Sequence, residues 1–137
     1  TSGADKAIDA TTPATISPQV HLKIGSAELQ VEIARTEAEQ EQGLSGRTGL
    51  EEGKGLWFPL TTQNIQGMWM KDMLFPIDIV WFDGDMRVID VKESATPDSY
   101  PEIFYPSSEA AFVLEIPAGF FKKINAHIGD QAALIEF

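Results

Sequence analysis

The chain has 137 residues, 21 acidic against 10 basic side chains for a formal charge of −11, 43% hydrophobic residues and no cysteine. A length of this order buries roughly 70% of the surface exposed on unfolding and suffices for one domain with a real core. The bases are scattered, Lys122-Lys123 being the only adjacent pair, which excludes a nucleic-acid backbone or an anionic membrane surface as the expected partner, and the missing thiols exclude disulfides, thiolate catalysis and cysteine-ligated metal centres.

Residues 1–19, TSGADKAIDATTPATISPQ, are small, polar and proline-containing; such a composition buries too little apolar area to offset the entropy of ordering it, and it reads as a flexible tether. Segments of this kind often follow a removed signal peptide or lipid anchor, and the first residue is Thr1 rather than Met. The expectation is therefore an exported chain, periplasmic or membrane-anchored through a removed N-terminal signal, with no transmembrane segment, because no apolar run approaches the roughly 18 to 20 residues that cross a bilayer.

Residues 20–137 form the expected single domain. Val20, Leu22 and Ile24 alternate with polar residues, Gly25-Ser26 supplies a turn, and Leu29, Val31 and Ile33 alternate again, the pattern of a hairpin with one buried face. Thr36 and Glu39 have capping-box spacing at the head of TEAEQEQ, and Gly43 is placed to end that short acidic helix. After a loop carrying Arg47, strands are expected over 55–58, 65–70, 77–82 and 86–91, the last two joined through Asp83-Gly84 as a two-residue hairpin. Residues 95–109, ATPDSYPEIFYPSSE, form a proline-broken loop with Tyr100, Phe104 and Tyr105, the sort of aromatic loop that often covers something. A strand over 111–116, a short helix within 117–125 and a closing strand over 132–137 complete the chain. The fold class is mainly β with small α: an antiparallel barrel-like or rolled sheet with one or two short helices.

The stretch GMWMKDMLFPIDIVWFD, residues 67–83, holds Lys71, Asp72 and Asp78 among eleven large apolar side chains. Strand alternation puts Met68 and Met70 on one side and Trp69 with Lys71 on the other. The strand 77–82 is apolar on both faces except for Asp78, so that carboxylate is expected to be buried and to need a cation or several donors. One account is a structural ion pair of Lys71 or Arg47 with Asp78 or Glu115. Another gathers Arg47, Lys71, Asp78 and Glu115 in a polar pocket, with Trp69 and the loop from Tyr100 to Tyr105 as wall and lid. Lys71 and Arg47 would then hold a ligand carboxylate or carbonyl, and Trp69 would stack on its apolar or sugar face. A hydrolase using paired carboxylates from the same group is the alternative activity. A lesser one is Cu(I) or Ag(I) binding through Met68, Met70 and Met73, whose thioethers more often serve as adaptable core filling. His21 and His127 read as structural or solvent-facing, Asp83 and Asp85 as turn acids, and the serine, phosphate-loop and histidine motifs of familiar enzymes are absent from the sequence.

Taken in order, EIARTEAEQEQGLSGRTGLEEGKGLWFPL, GMWMKDMLFPIDIVWFDGDMRVIDV, the aromatic loop and AAFVLEIPAGFFKKINAHIGD resemble the family catalogued as domain of unknown function 192, over roughly residues 28–135. Arg47 matches the arginine after the family's Gly-Leu pair, Trp69-Met70-Lys71 its Trp-Met-Lys core, Pro76 and Asp78 its Pro-x-Asp, and Glu115 and Gly119 its Leu-Glu and following glycine. Asp72-Met73 stand where that pattern usually has Asn-Thr, and Ser45 where it usually has Met. The resemblance implies a compact, predominantly β domain, frequent on exported or lipid-anchored chains. The combined expectation is a monomeric binding or accessory module of the cell envelope, without a metal or redox cofactor, whose partner is a small molecule or an envelope protein.

Overall fold

A computed structural model describes residues 19–135. The expected tether lies outside the described residues except for Gln19, which already belongs to the first strand. In chain order the elements are β1 (Gln19–Ile24), β2 (Ala27–Ile33), α1 (Glu37–Gln42), β3 (Lys54–Asn64), β4 (Met68–Trp69), β5 (Ile77–Phe82), β6 (Val88–Ala95), β7 (Ile103–Phe104), β8 (Ala110–Pro117), α2 (Phe120–Lys123) and β9 (Ala132–Ile135).

Seven strands make one sheet in the order β6-β5-β8-β3-β2-β1-β9, and β4 pairs with β7 in a separate ribbon. All pairings are antiparallel except β2 with β3. That exception follows from the chain path: α1 and the loop after it form a crossover between the two strands, and a crossover returns the chain in the same direction. The two outermost strands meet at one end, where Val88 N donates to Asp130 O at 2.9 Å, Gly129 N to Val88 O at 2.7 Å and Ala132 N to Met86 O at 2.8 Å. The sheet is thus curled into a half-barrel, as the mainly β reading requires.

Each face of the sheet carries an apolar layer. Val20, Leu22, Leu29, Val31, Trp57, Val80, Phe82, Leu114 and Ile116 form the first with Phe120 and Phe121 of α2. Leu56, Phe58, Ile77, Ile79, Trp81 and Val113 form the second with Leu44, Met70 and Met73 from the segments that cross over it. β5 is buried at all six positions and feeds both layers by alternation. Several expected elements differ: the strand over 55–58 is Lys54–Asn64, that over 86–91 is Val88–Ala95, and the loop over 95–109 contains β7. The strand over 65–70 reduces to Met68–Trp69, because β3 runs on to Asn64 and the chain must then cross to the ribbon. The β5–β6 connection is longer than two residues: Asp83 Oδ1 accepts from the backbone N–H of Asp85 (2.9 Å) and Arg87 (3.0 Å), organising residues 83–87 as a side-chain-held turn.

Candidate functional site

The β4–β7 ribbon presents Trp69. Met68 pairs with Phe104 and Trp69 with Ile103, so Met68 turns toward the second apolar layer while the Trp69 ring stands outward, 44% exposed. The Tyr100 ring meets it edge-on with centroids 5.1 Å apart, and the Lys71 ammonium lies 5.7 Å from the Trp69 ring centroid, within the range of a cation–π contact. Ile103 and Tyr105 pack onto the backbone of Gly67, where a Cβ would come within 2.5 Å of Ile103 Cγ2 and 2.7 Å of Tyr105 Cε1. Glycine is what allows this close approach. Trp81 Nε1 donates to Gln66 O at 3.1 Å and ties the start of the ribbon to β5.

The facing wall is α1. Its capping box is complete: Thr36 Oγ1 accepts from Glu39 N at 3.0 Å, and Glu39 Oε1 accepts from Thr36 N at 3.0 Å. The backbone N–H groups of Thr36 and Arg35 hold the Glu39 carboxyl below the ordinary glutamate range. Gln40 Nε2 donates to Ala34 O (2.9 Å) and Pro59 O (2.7 Å), pinning the helix to the sheet. Beyond Gly43, Ser45 Oγ donates to Lys71 O at 2.7 Å and Gly46 N to Asp72 O at 3.1 Å, so the loop after α1 is laced to the turn after β4. Two depressions lie between these walls. One, of about 540 Å³, is lined by Glu37, Gln40, Glu41, Gln66, Gly67, Met68 and Trp69; the other, of about 400 Å³, by Ala38, Glu41, Gln42, Ser45, Trp69, Lys71 and Asp72.

Among the residues expected to share one pocket, Trp69, Lys71, Tyr100 and Tyr105 lie on this ribbon and its flank. Arg47 does not join them. Its guanidinium donates to Glu32 through Nη1 (2.9 Å) and Nη2 (3.0 Å), a two-pronged pair lining a third depression of about 480 Å³ that includes neither Trp69 nor Lys71. Glu115 is buried under the same loop: it neighbours Leu56 and Ile79 across the strands, and its Oε1 would lie 3.5 Å from a Cβ at Gly43. That oxygen and Arg47 Nε are buried without a hydrogen-bond partner among the described residues. Burial raises the Glu115 pKa to about 8, against an opposing pull from the Arg47 charge, so the side chain is a neutral acid at pH 7.

Asp78 sits on the opposite face. It is opposite Ile116 of the first layer, whereas Glu115 is opposite Ile79 of the second. The expected pairing of Asp78 with Lys71 or Arg47 is replaced by backbone donors: Ser94 N at 2.8 Å, Gly119 N at 3.1 Å to each oxygen and Phe121 N at 3.0 Å. Asp78 therefore fastens α2 and β6 to β5, and Asp78 and Glu115, two of the carboxylates a hydrolase could pair alongside Asp72 and Asp98, point to opposite faces. Met70 and Met73 are buried in the second layer with Met68 packed against it, so the thioethers act as core. No cluster of three His, Asp or Glu side chains suited to a metal exists among the described residues.

Sequence reasoning missed Glu32 and the α1 wall. Glu32 alternates with Val31 and Ile33 and so reads as solvent-facing, but the crossover loop covers it. The run TEAEQEQ signalled a helix, and nothing in it signalled which element that helix faces.

A curled half-barrel of β-strands with two short helices defines the class: a small β-rich domain. Residues 20–134 match the family model described as "Uncharacterized ACR", the domain of unknown function 192, and the chain belongs to that family. A relative in Thermococcus sibiricus, a UPF0127 protein, is 29% identical over 103 residues; the match covers 74% of this chain and 64% of that protein, so the chain spans less than two thirds of that relative's length. A Sinorhizobium meliloti crystal structure, provisionally named a transcription regulator, superposes with a TM-score of 0.82 at 25% identity, covering 89% of this chain and 98% of that one. A Novosphingobium aromaticivorans protein of unknown function superposes with a TM-score of 0.78 at 29% identity, covering 96% and 99%.

Proposed function

We propose that this domain is an exported, monomeric binding module of the cell envelope that takes its ligand in the groove between α1 and β4. The observation that carries the reading is Trp69. Of the three tryptophans, Trp57 and Trp81 are each 1% exposed while Trp69 is 44% exposed, flanked by Tyr100 and Lys71 and held by an ordered ribbon. A large aromatic side chain presented in a groove whose walls are cross-linked is the ordinary construction of a recognition surface. A nucleic-acid ligand of the sort a transcription regulator would bind is disfavoured by the charge of −11 and the scattered bases.

Trp69 is also the reporter. Thermal-shift and tryptophan-emission titrations of the full chain against sugars, cell-wall fragments and small carboxylates form the test. A ligand at a hundredfold its dissociation constant adds about 2.7 kcal/mol of stability. Stabilisation that disappears in a folded Trp69→Ala variant supports the reading; stabilisation that survives in that variant places the site elsewhere. Export is tested separately, by fractionating cells that express the complete gene product: recovery from the cytoplasm alone would sink it.

A further inference from the structure

Resting on the groove reading above, we infer that the ligand is a neutral linear glycan bound over at least two consecutive sugar rings, one in each of the two depressions that meet at Trp69. The two depressions are not independent: both are lined by Trp69 and by Glu41. They therefore adjoin at the indole and at Glu41, and each falls within the roughly 300 to 1,000 Å³ usual for a small-ligand site. Two adjoining depressions that share one aromatic ring suit a ligand of at least two consecutive units.

The lining chemistry narrows the class. Glu37, Glu41 and Asp72 supply carboxylates and Gln42 and Gln66 supply amides around one large apolar ring, while Gln40, its N–H groups committed to Ala34 O and Pro59 O, offers its amide oxygen alone. Planar carboxylates and amides accept and donate in pairs, matching adjacent hydroxyls, while the C–H face of a pyranose covers an indole without losing its hydroxyl hydration. A polyanion would meet three carboxylates against the single ammonium of Lys71. A basic peptide is drawn by the three carboxylates, but the face of Trp69 that its cation would seek already has Lys71 Nζ 5.7 Å from the ring centroid, so oligolysine is the competitor the titration must include. A purely apolar ligand finds no enclosed apolar cavity between these polar walls.

The experiment is a titration of the full chain, read by Trp69 emission and by calorimetry, with cello-, chito-, malto- and manno-oligosaccharides of one, two, three and six units, and with oligolysine and oligogalacturonate as the competing chemistries. The expected result is at least one neutral series in which the hexamer binds tenfold or more tighter than the monomer, with the main step between one and three units. Trp69→Ala should lose that binding and Glu41→Gln should weaken it severalfold, both at unchanged melting temperature. Equal affinity for monomer and hexamer overturns the two-ring arrangement. Binding of oligolysine or oligogalacturonate with none of any neutral series overturns the ligand class while leaving Trp69 as a recognition residue. Silence from every neutral series also overturns the inference, and the broader screen then decides the groove reading independently.

Discussion

Two buried carboxylates, Asp78 and Glu115, are handled in opposite ways by their surroundings. Asp78 is wholly buried and accepts from three backbone N–H groups, two of them at the start of α2. Asp78→Ala leaves those donors unsatisfied, and at about 1 to 3 kcal/mol for each buried unpaired group the variant should lose about 3 kcal/mol or more in urea unfolding. Glu115 has no donor at Oε1, and Arg47 is already committed to Glu32. Its pKa is raised from 4.5 to about 8, so between those values the folded chain holds a proton that the unfolded chain has released. Stability contributed by the neutral acid is fully present below the unfolded value and is lost as pH rises toward about 8, at up to about 1.4 kcal/mol per unit. Glu115→Gln removes this dependence without changing the shape of the side chain. Urea unfolding from pH 5 to 8 should show the variant gaining on the parent as pH rises; parallel curves would show that Glu115 is ionised in the fold.

At the level of elements, the groove depends on two short pieces that could not stand alone. α1 has six residues, none buried, and isolated helices of that length are not stable in water. It persists through its capping box and through Gln40 on the sheet. Thr36→Ala should cost about 1 kcal/mol and weaken groove ligands through the loosened wall. The ribbon depends on Gly67: in Gly67→Ala the new methyl must displace Ile103 and Tyr105, which should change the emission and quenching of Trp69 while Trp57 and Trp81, buried in the sheet layers, report an intact core. Near-identical iodide quenching of variant and parent would contradict this. The same elements show what a sequence discloses. The capping box of α1 and the two-faced burial of β5 were legible because cap spacing and strand alternation are local signals. The brevity of β4 was not, since it follows from how far β3 runs and where β7 lies, and neither is encoded near Met68.

On the scale of the whole molecule, the curled sheet acts as a partition, and this explains why the candidate site was only partly legible. Parity along one strand puts Trp69 and Lys71 together, and the structure does keep Lys71 near the Trp69 ring, but from the turn after β4 rather than from the strand. Parity cannot say that Arg47 is drawn off to Glu32, or that Asp78 and Glu115, one residue out of register across β5 and β8, point to opposite faces. The partition has an energetic consequence. Asp78 holds α2 to the first face, Glu115 lies beneath the α1 loop on the second, and no hydrogen-bond partner is shared between them. Effects of well-separated residues without common partners add to within about 0.5 kcal/mol, whereas members of one charged network couple by up to about 3 kcal/mol. Asp78 and Glu115 are diagonal neighbours on paired strands, and only their opposite faces keep their surroundings apart. The Asp78→Ala and Glu115→Gln double variant should therefore unfold in urea at pH 7 with a stability equal to the parent's plus the two separate changes, inside that narrower margin. A coupling well beyond it would mean that the two carboxylates sense one another through the sheet, and would restore a paired-carboxylate site to consideration.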